Sequence, residues 1–339
     1  MNIDIQQKHV YYWLLLGTFL IAIMISIGGY TRLTKSGLSI TDWKPVTGIL
    51  PPLSEQEWIE EYSNYKNTPQ AIEFEKRIEP DLRIYEFKKI FWPEWFHRIF
   101  ARILGFYLII PFVFFSFKGL INHQLRSKIA IIFSLGLLQA IIGWYMVKSG
   151  LVDVPYVSHY RLATHLLLAF VLIGYSFWTS LGIKYGQKNI FSMPGYIKAI
   201  IMIILIQICL GAFTAGTNAG KFYNSFPMMD GSFTPPEGLK NELNFFRYDN
   251  VGNIQFSHRI FAWIILLISF GVYRRSDNFI KDKSALLFCG SVIIQFILGV
   301  LTVLYFNSWD RVALGIVHQL GATMLFISVI SMAYFKTSN

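Results

Sequence analysis

His97-Arg98-Ile99-Phe100-Ala101 opens a long apolar run, and His258-Arg259-Ile260-Phe261-Ala262 opens another of the same kind. A histidine and an arginine are costly to bury at the mouth of an apolar helix, so two copies of the pair point to a duplicated site. The surrounding composition sets the medium. Of 339 residues, 54% are hydrophobic and 15% charged, against ~25% charged in soluble domains, and the mean hydropathy is +0.45. The chain reads as membrane-spanning. Its net charge of +10 sits in short loops between apolar runs, which fits orientation in a bilayer better than a nucleic-acid partner. Cys209 and Cys289 both fall inside apolar segments, so neither an extracellular disulfide nor a cysteine-rich metal site is expected.

Runs near 10–30, 96–117, 129–147, 162–182, 197–216, 256–273, 284–306 and 313–335 are each long enough to cross a bilayer, which takes about 20 residues. The first lacks a small-residue cleavage site and reads as a retained helix rather than a signal peptide. Lys118, Arg126 and Lys128, then Lys184, Lys188 and Lys198, then Arg274, Arg275, Lys281 and Lys283, and finally Lys336 all fall on one side if both termini are cytoplasmic. Two long connections, 32–95 and 217–255, then face outward. Connections of that length tend to be functional. In the first, Ser54-Glu55-Gln56-Glu57 has the form of a capping box before a short surface helix; the second, with Pro227, Pro235 and Pro236, reads as irregular.

The repeat extends past the opening pentapeptide. Gln139-Ala140-Ile141-Ile142-Gly143 matches Gln295-Phe296-Ile297-Leu298-Gly299, Gly28-Gly29-Tyr30-Thr31 resembles Gly211-Ala212-Phe213-Thr214, and His165-Leu166-Leu167-Leu168-Ala169 resembles His318-Gln319-Leu320-Gly321-Ala322. The expected fold is therefore an all-α polytopic membrane protein, with eight transmembrane helices forming two four-helix bundles, 1–190 and 191–339. Four is even, so both halves insert the same way up, as a parallel repeat about an axis along the membrane normal.

Seven histidines occur. His9 and His123 lie in polar ends and read as solvated, and His159, at an outer helix start without a counterpart, reads as interfacial. His97, His165, His258 and His318 differ. Each comes early in a span that runs from outside to inside, so all four lie at similar depth toward the outer leaflet, two in each half. Two imidazoles on neighbouring helices can approach opposite faces of one metal, and a bis-histidine haem fits that arrangement. The plainer alternative is interhelical hydrogen bonding, at ~0.6 kcal/mol per contact. It accounts for one histidine as well as ligation does; four at matched depth in matched repeats favour ligation. A structural zinc site would want more ligands than two histidines.

Arg98 and Arg259 follow two of these histidines directly. They suit porphyrin propionates, and snorkelling to lipid headgroups suits them equally. Arg102 has no counterpart in the second half, where Trp263 stands. Glu94 lies three residues before His97, on the same helix face, whereas Gln255 occupies the matching place before His258. A carboxylate at one copy and an amide at the other is what divergence into a reactive site and a holding site would leave; an interfacial glutamate near Lys88 or Lys89 is the alternative.

At these residues the chain resembles the heme A synthase family. The resemblance rests on Glu94-Trp95-Phe96-His97-Arg98-Ile99-Phe100-Ala101, Gly29-Tyr30-Thr31-Arg32-Leu33-Thr34-Lys35-Ser36-Gly37-Leu38-Ser39, Trp43-Lys44-Pro45-Val46-Thr47-Gly48-Ile49-Leu50-Pro51-Pro52 and Tyr160-Arg161-Leu162-Ala163-Thr164-His165. It covers nearly the whole chain and is nearest the proteobacterial and mitochondrial subgroup. The other subgroup has a cysteine pair in the first outer loop; residues 32–95 have none, so no role of those cysteines carries over. The resemblance implies oxidation of the C8 methyl of heme O to a formyl group, giving heme A for cytochrome oxidase. Two successive hydroxylations and loss of water would achieve this four-electron change. It also implies that His97 and His165 address the substrate heme O, that His258 and His318 are axial ligands of a heme b cofactor, and that Glu94 is the essential carboxylate. Heme O synthase and an electron-transfer protein are the partners such a reaction calls for, and a homo-oligomer is compatible with it. Without a transit peptide, a bacterial plasma (inner) membrane is expected. The alternative from another class, a non-catalytic bis-histidine electron carrier, would place haems on both sides of the membrane; four histidines on one side argue against it.

Overall fold

The computed structural model describes residues 5–42, 48–76, 78–152, 156–235, 250–276 and 280–338. Residues 43–47 of the proline-containing loop motif and Pro236 therefore lie outside the described residues. The chain is all-helical in its regular structure. Among the described residues, eight helices are long and apolar enough to cross a membrane, one for each expected run: α1 (Ile5–Leu33), α4 (Arg83–Phe117), α5 (His123–Val152), α6 (His159–Tyr185), α7 (Gly195–Gly216), α8 (Val251–Arg275), α9 (Lys283–Leu304) and α10 (Arg311–Lys336). It is a multi-pass membrane protein. Two shorter helices, α2 (Glu55–Tyr65) and α3 (Pro69–Glu75), lie in the first long connection.

The packing is central and peripheral. α1, α6, α7 and α10 form the middle, where α1 packs on α6 and α10, and α7 packs on the same two. The buried share of a span falls from 61% in α6 to 6% in α4, so α4 sits at the rim. Lipid tails are as apolar as leucine, and close fit between spans rather than the hydrophobic effect holds such helices together. Gly174 of α6 shows this: a Cβ there would stand 2.8 Å from Phe326 of α10. Thr18 and Ser176 add a buried hydroxyl pair at 2.9 Å between α1 and α6. Cys209 and Cys289 are free thiols.

α4 differs from its expected extent. It begins at Arg83 rather than near 96, so the tail of the supposed loop is helix. At 35 residues and 1.5 Å of rise per residue it outreaches a hydrocarbon core of ~30 Å. The outer extension is held by a small aromatic core: Phe87 and Phe91 are buried with Trp58 and Tyr65 of α2, and the Trp58 and Phe91 ring centres lie 4.9 Å apart. α2 begins with the expected capping box, with Glu57 N–H donating to Ser54 Oγ at 3.3 Å and Ser54 N–H donating to Glu57 Oε2 at 3.2 Å. Burial, reinforced by the hydrogen bond that Tyr62 donates to Glu75, pushes the Tyr62 phenol up to about 12.

Pro111 sits inside α4 and has no N–H for the carbonyl of Tyr107, four residues back. Trp13 of α1 replaces it: its indole N–H donates to that carbonyl at 3.1 Å. Trp13→Phe should leave the carbonyl unsatisfied in an apolar setting and lower resistance to thermal unfolding in detergent by about 1 kcal/mol, the upper part of what intramembrane hydrogen bonds contribute. An unchanged melting curve would show that the bond carries no weight.

Candidate functional site

Each of the four paired histidines faces a glycine on the neighbouring helix. A Cβ on Gly28 of α1 would stand 3.3 Å from Cε1 of His97 on α4, and one on Gly143 of α5 would stand 3.1 Å from Cε1 of His165 on α6. The second half repeats the arrangement. Gly211 of α7 faces His258 on α8 at 3.2 Å, and Gly299 of α9 faces His318 on α10 at 3.2 Å. These glycines make room for an imidazole between two backbones. Gly211→Leu should push the His258 ring aside without touching its chemistry. The expected result is at least a tenfold fall in haem retained after purification; full retention would show that the close approach does not matter.

Three of the histidines are also held through their backbone. Gln139 donates to the carbonyl of His165 at 3.0 Å, Gln207 to that of His258 at 3.0 Å, and Gln295 to that of His318 at 3.1 Å. Each glutamine precedes its glycine by one helical turn. Gln207 escaped the sequence reading, although the Gln-x-x-x-Gly spacing it shares with Gln139 and Gln295 would have found it. At the matching place before Gly28 stands Met24.

The ring spacing of the second pair suits a metal held between the two imidazoles. The ring centres of His258 and His318 lie 6.5 Å apart with their planes at 83°. A metal–imidazole bond of roughly 2 Å on each side, plus the half-width of each ring, requires a separation of about that size. The Nδ1 atoms of His97, His165 and His258 are buried and meet no hydrogen-bond partner in the protein, a cost of about 1–3 kcal/mol for each such group. No cluster of three or more His, Cys, Asp or Glu side chains able to hold a bare metal ion exists among the described residues. Two imidazoles are too few for a bare ion and fit a metal that brings its own equatorial ligands, as a haem iron does. All four histidines line one continuous cavity of about 1970 Å³, well beyond the ~300–1,000 Å³ of a single ordinary ligand site.

Glu94 is buried, at 3% exposure. Its Oε2 accepts from the Ser39 N–H at 2.6 Å, the Ser39 hydroxyl at 2.7 Å and the Ile40 N–H at 3.0 Å, while Oε1 pairs with Arg98 Nη2 at 2.7 Å. The basic neighbours considered from sequence are engaged elsewhere: Lys89 with Glu86 at 2.6 Å, and Lys88 over the Trp58 ring. Arg98 also donates to the carbonyls of Ile40 at 2.9 Å and Asp42 at 3.3 Å. The second copy is built alike with the polarity reversed. Gln255 and Arg259 both donate to the carbonyl of Tyr223, each at 2.9 Å, and Arg259 donates further to Ser225 at 2.9 Å and Met228 at 3.2 Å. In both halves, then, the residue three before the histidine and the arginine after it fasten an outer segment over the cavity. The carboxylate takes backbone N–H groups; the amide gives to a carbonyl.

The remaining histidines separate from these. His9 and His123 are exposed. His159, at the start of α6, packs on Tyr160 and Phe213, with ring centres 4.2 and 5.6 Å away. Arg32, at the end of α1, donates to the carbonyls of Ala215 at 3.2 Å and Gly216 at 3.0 Å, and so caps α7 across the two halves.

A family model described as a cytochrome oxidase assembly protein, COX15-CtaA, matches residues 11–330. Curated relatives match over nearly their full length. The heme A synthase of Wolbachia pipientis subsp. Culex pipiens is 42% identical over 330 residues, covering 95% of this chain and 96% of that protein. That of Flavobacterium psychrophilum is 40% identical over 341 residues, with 97% of each chain covered, and that of Nitrosospira multiformis is 38% identical over 340 residues, covering 96% and 92%.

Proposed function

The chain belongs to the COX15-CtaA family of cytochrome oxidase assembly proteins and acts as a heme A synthase, and we propose that it divides this work between its two histidine pairs. His97 and His165 of the first four spans bind the substrate heme O, whose C8 methyl becomes the formyl group of heme A. His258 and His318 of the last four spans hold a heme b. The observation that carries the division is the Glu94 and Gln255 difference at otherwise matched positions: the cavity is given a carboxylate at one histidine pair and an amide at the other.

A heme b held by His258 and His318 would supply one-electron transfer. The chain's own residues do the rest. Gln207 and Gln295 fix the backbones that carry His258 and His318, and Gly211 and Gly299 set how closely those rings approach the neighbouring helices. At the first pair, Glu94 is the acid–base group. Its Oε2 already receives three donors, whereas Oε1 receives Arg98 alone, and each carboxylate oxygen offers about two lone-pair sites. Oε1 is thus the atom able to take a proton or face positive charge developing at the methyl carbon. Arg98 and Arg259 fasten the outer segments by backbone carbonyls, and their remaining N–H groups suit propionates at the outer rim. The outer leaflet of a bacterial inner membrane, with both termini cytoplasmic, places these sites on the side opposite the basic loops.

Membranes carrying the chain, in a host that makes heme O but no heme A, provide the test. Heme A should accumulate in the extracted pigments. Heme O alone, with the protein present, would overturn the activity.

A further inference from the structure

The two halves are not equally closed. In the last four spans the helices form a ring: α7 packs on α8, α8 on α9, α9 on α10 and α10 on α7. In the first four, α4 packs on α1, α1 on α6 and α6 on α5, but α4 and α5 do not pack along each other. They meet toward the inner end through Phe112 and Phe133, whose ring centres are 5.2 Å apart.

The residues at the matching places explain the difference. Between α8 and α9, Trp263 meets Phe296 with ring centres 4.8 Å apart, and Phe226 of the outer segment lies 6.0 Å from each. This aromatic bolt closes the seam. Counting from the paired histidines and glutamines, the first half has Arg102 in place of Trp263 and Ala140 in place of Phe296. One turn further inward it has Gly105 for Leu266 and Gly136 for Val292. Val292 is buried and Leu266 packs on the core, whereas a Cβ on Gly105 or Gly136 would meet nothing within 4 Å. Arg102, Gly105, Gly136 and Ala140 all line the cavity that reaches His97 and His165.

We propose that the seam between α4 and α5 is a lateral portal through which a large, flat, apolar ring bearing a long alkyl tail passes from the bilayer to His97 and His165. The proposal rests on the assignment of heme O to that histidine pair. A porphyrin with an isoprenoid tail is dissolved in the membrane, so a side opening avoids carrying the tail through water. Small residues clear the seam for the ring, Arg102 places a cation at its outer end for the propionates, and the tail remains among lipid chains. A group meant to stay needs no such opening, and Trp263 and Phe296 close the matching seam of the second half.

The test refills the seam with the residues of the closed half. Gly136→Val with Ala140→Phe is purified into nanodiscs, and uptake of heme O from added vesicles is followed by its absorbance. Haem already bound to the protein serves as the measure of intact folding. Uptake at least tenfold slower, with that haem unchanged, is the expected result; uptake at the wild-type rate would overturn the portal. If the double variant loses its haem, Ala140→Cys in a Cys209→Ser, Cys289→Ser background is used instead. Uptake is compared before and after reaction with a bulky membrane-soluble maleimide. Blocked uptake supports the portal, and unaltered uptake in the labelled protein overturns it. Conversion to heme A by the wild type is read separately. Wild-type uptake without conversion would overturn the catalytic reading and leave the portal standing.

Discussion

Replacing His258 or His318 with leucine is expected to strip the b-type haem that stays with the protein through purification, taking the retained b-type haem to below about a tenth of wild type. The basis is geometric. The two rings are 6.5 Å apart and nearly perpendicular, each lies 3.2 Å from where a Cβ on the facing glycine would stand, and each backbone is held by a glutamine. With one imidazole gone, a haem held there would keep a single protein ligand, and no cluster of three or more His, Cys, Asp or Glu is at hand to replace it among the described residues. The measurement is haem per protein by pyridine haemochrome. Unchanged haem content in both variants would show that this pair is not the ligand set. On the proposed division, leucine in place of His97 or His165 should leave the retained b-type haem in place.

The second large effect is expected at Glu94. Glu94→Gln should cost at least about 10²-fold in heme A formation, in the range that loss of a positioned acid–base group produces, while retained haem stays at the wild-type level. The amide cannot reproduce the carboxylate's bonds. With its nitrogen toward Ser39 and Ile40 it opposes two backbone N–H donors, and with its nitrogen toward Arg98 it opposes the guanidinium. Loss of the anchor and loss of the chemistry must therefore be separated. Ser39→Ala removes one of the donors at Oε2 and leaves Oε1 and the charge intact, so it should cost less than about tenfold if the carboxylate itself does the chemistry. Equal losses in the two variants would reduce Glu94 to a fastener of the outer segment, and normal heme A output from Glu94→Gln would remove it from the mechanism.

The local and periodic features were readable from sequence because their causes are local. Each of the eight spans needs only a run of apolar residues, and the capping box of α2 needs only Ser54 and Glu57 three residues apart. The four histidines stood out because a duplicated sequence shows its matched positions directly. What depended on distant partners was not legible. Glu94 finds its donors at Ser39 and Ile40, more than fifty residues back, and no pattern around Glu94 announces them. The outward extension of α4 depends on Phe87 and Phe91 meeting Trp58 and Tyr65, an encounter between separate helices. The glycines facing the histidines were visible as parts of the repeat, but their role is a contact between spans. The open seam between α4 and α5 lies further still from local pattern, since Gly105, Gly136 and Ala140 are unremarkable until set beside Leu266, Val292 and Phe296.

The division of labour between the two histidine pairs is tested most directly by pigment extraction from the purified protein, expressed in cells that make heme O. Wild-type protein is compared with a His97→Leu, His165→Leu double variant. The expected result is b-type haem in both proteins in similar amount, with O- or A-type haem in the wild type and none in the variant. A wild-type protein that carries only b-type haem, and loses half of it in the variant, would contradict the account and identify both pairs as sites of a plain electron carrier.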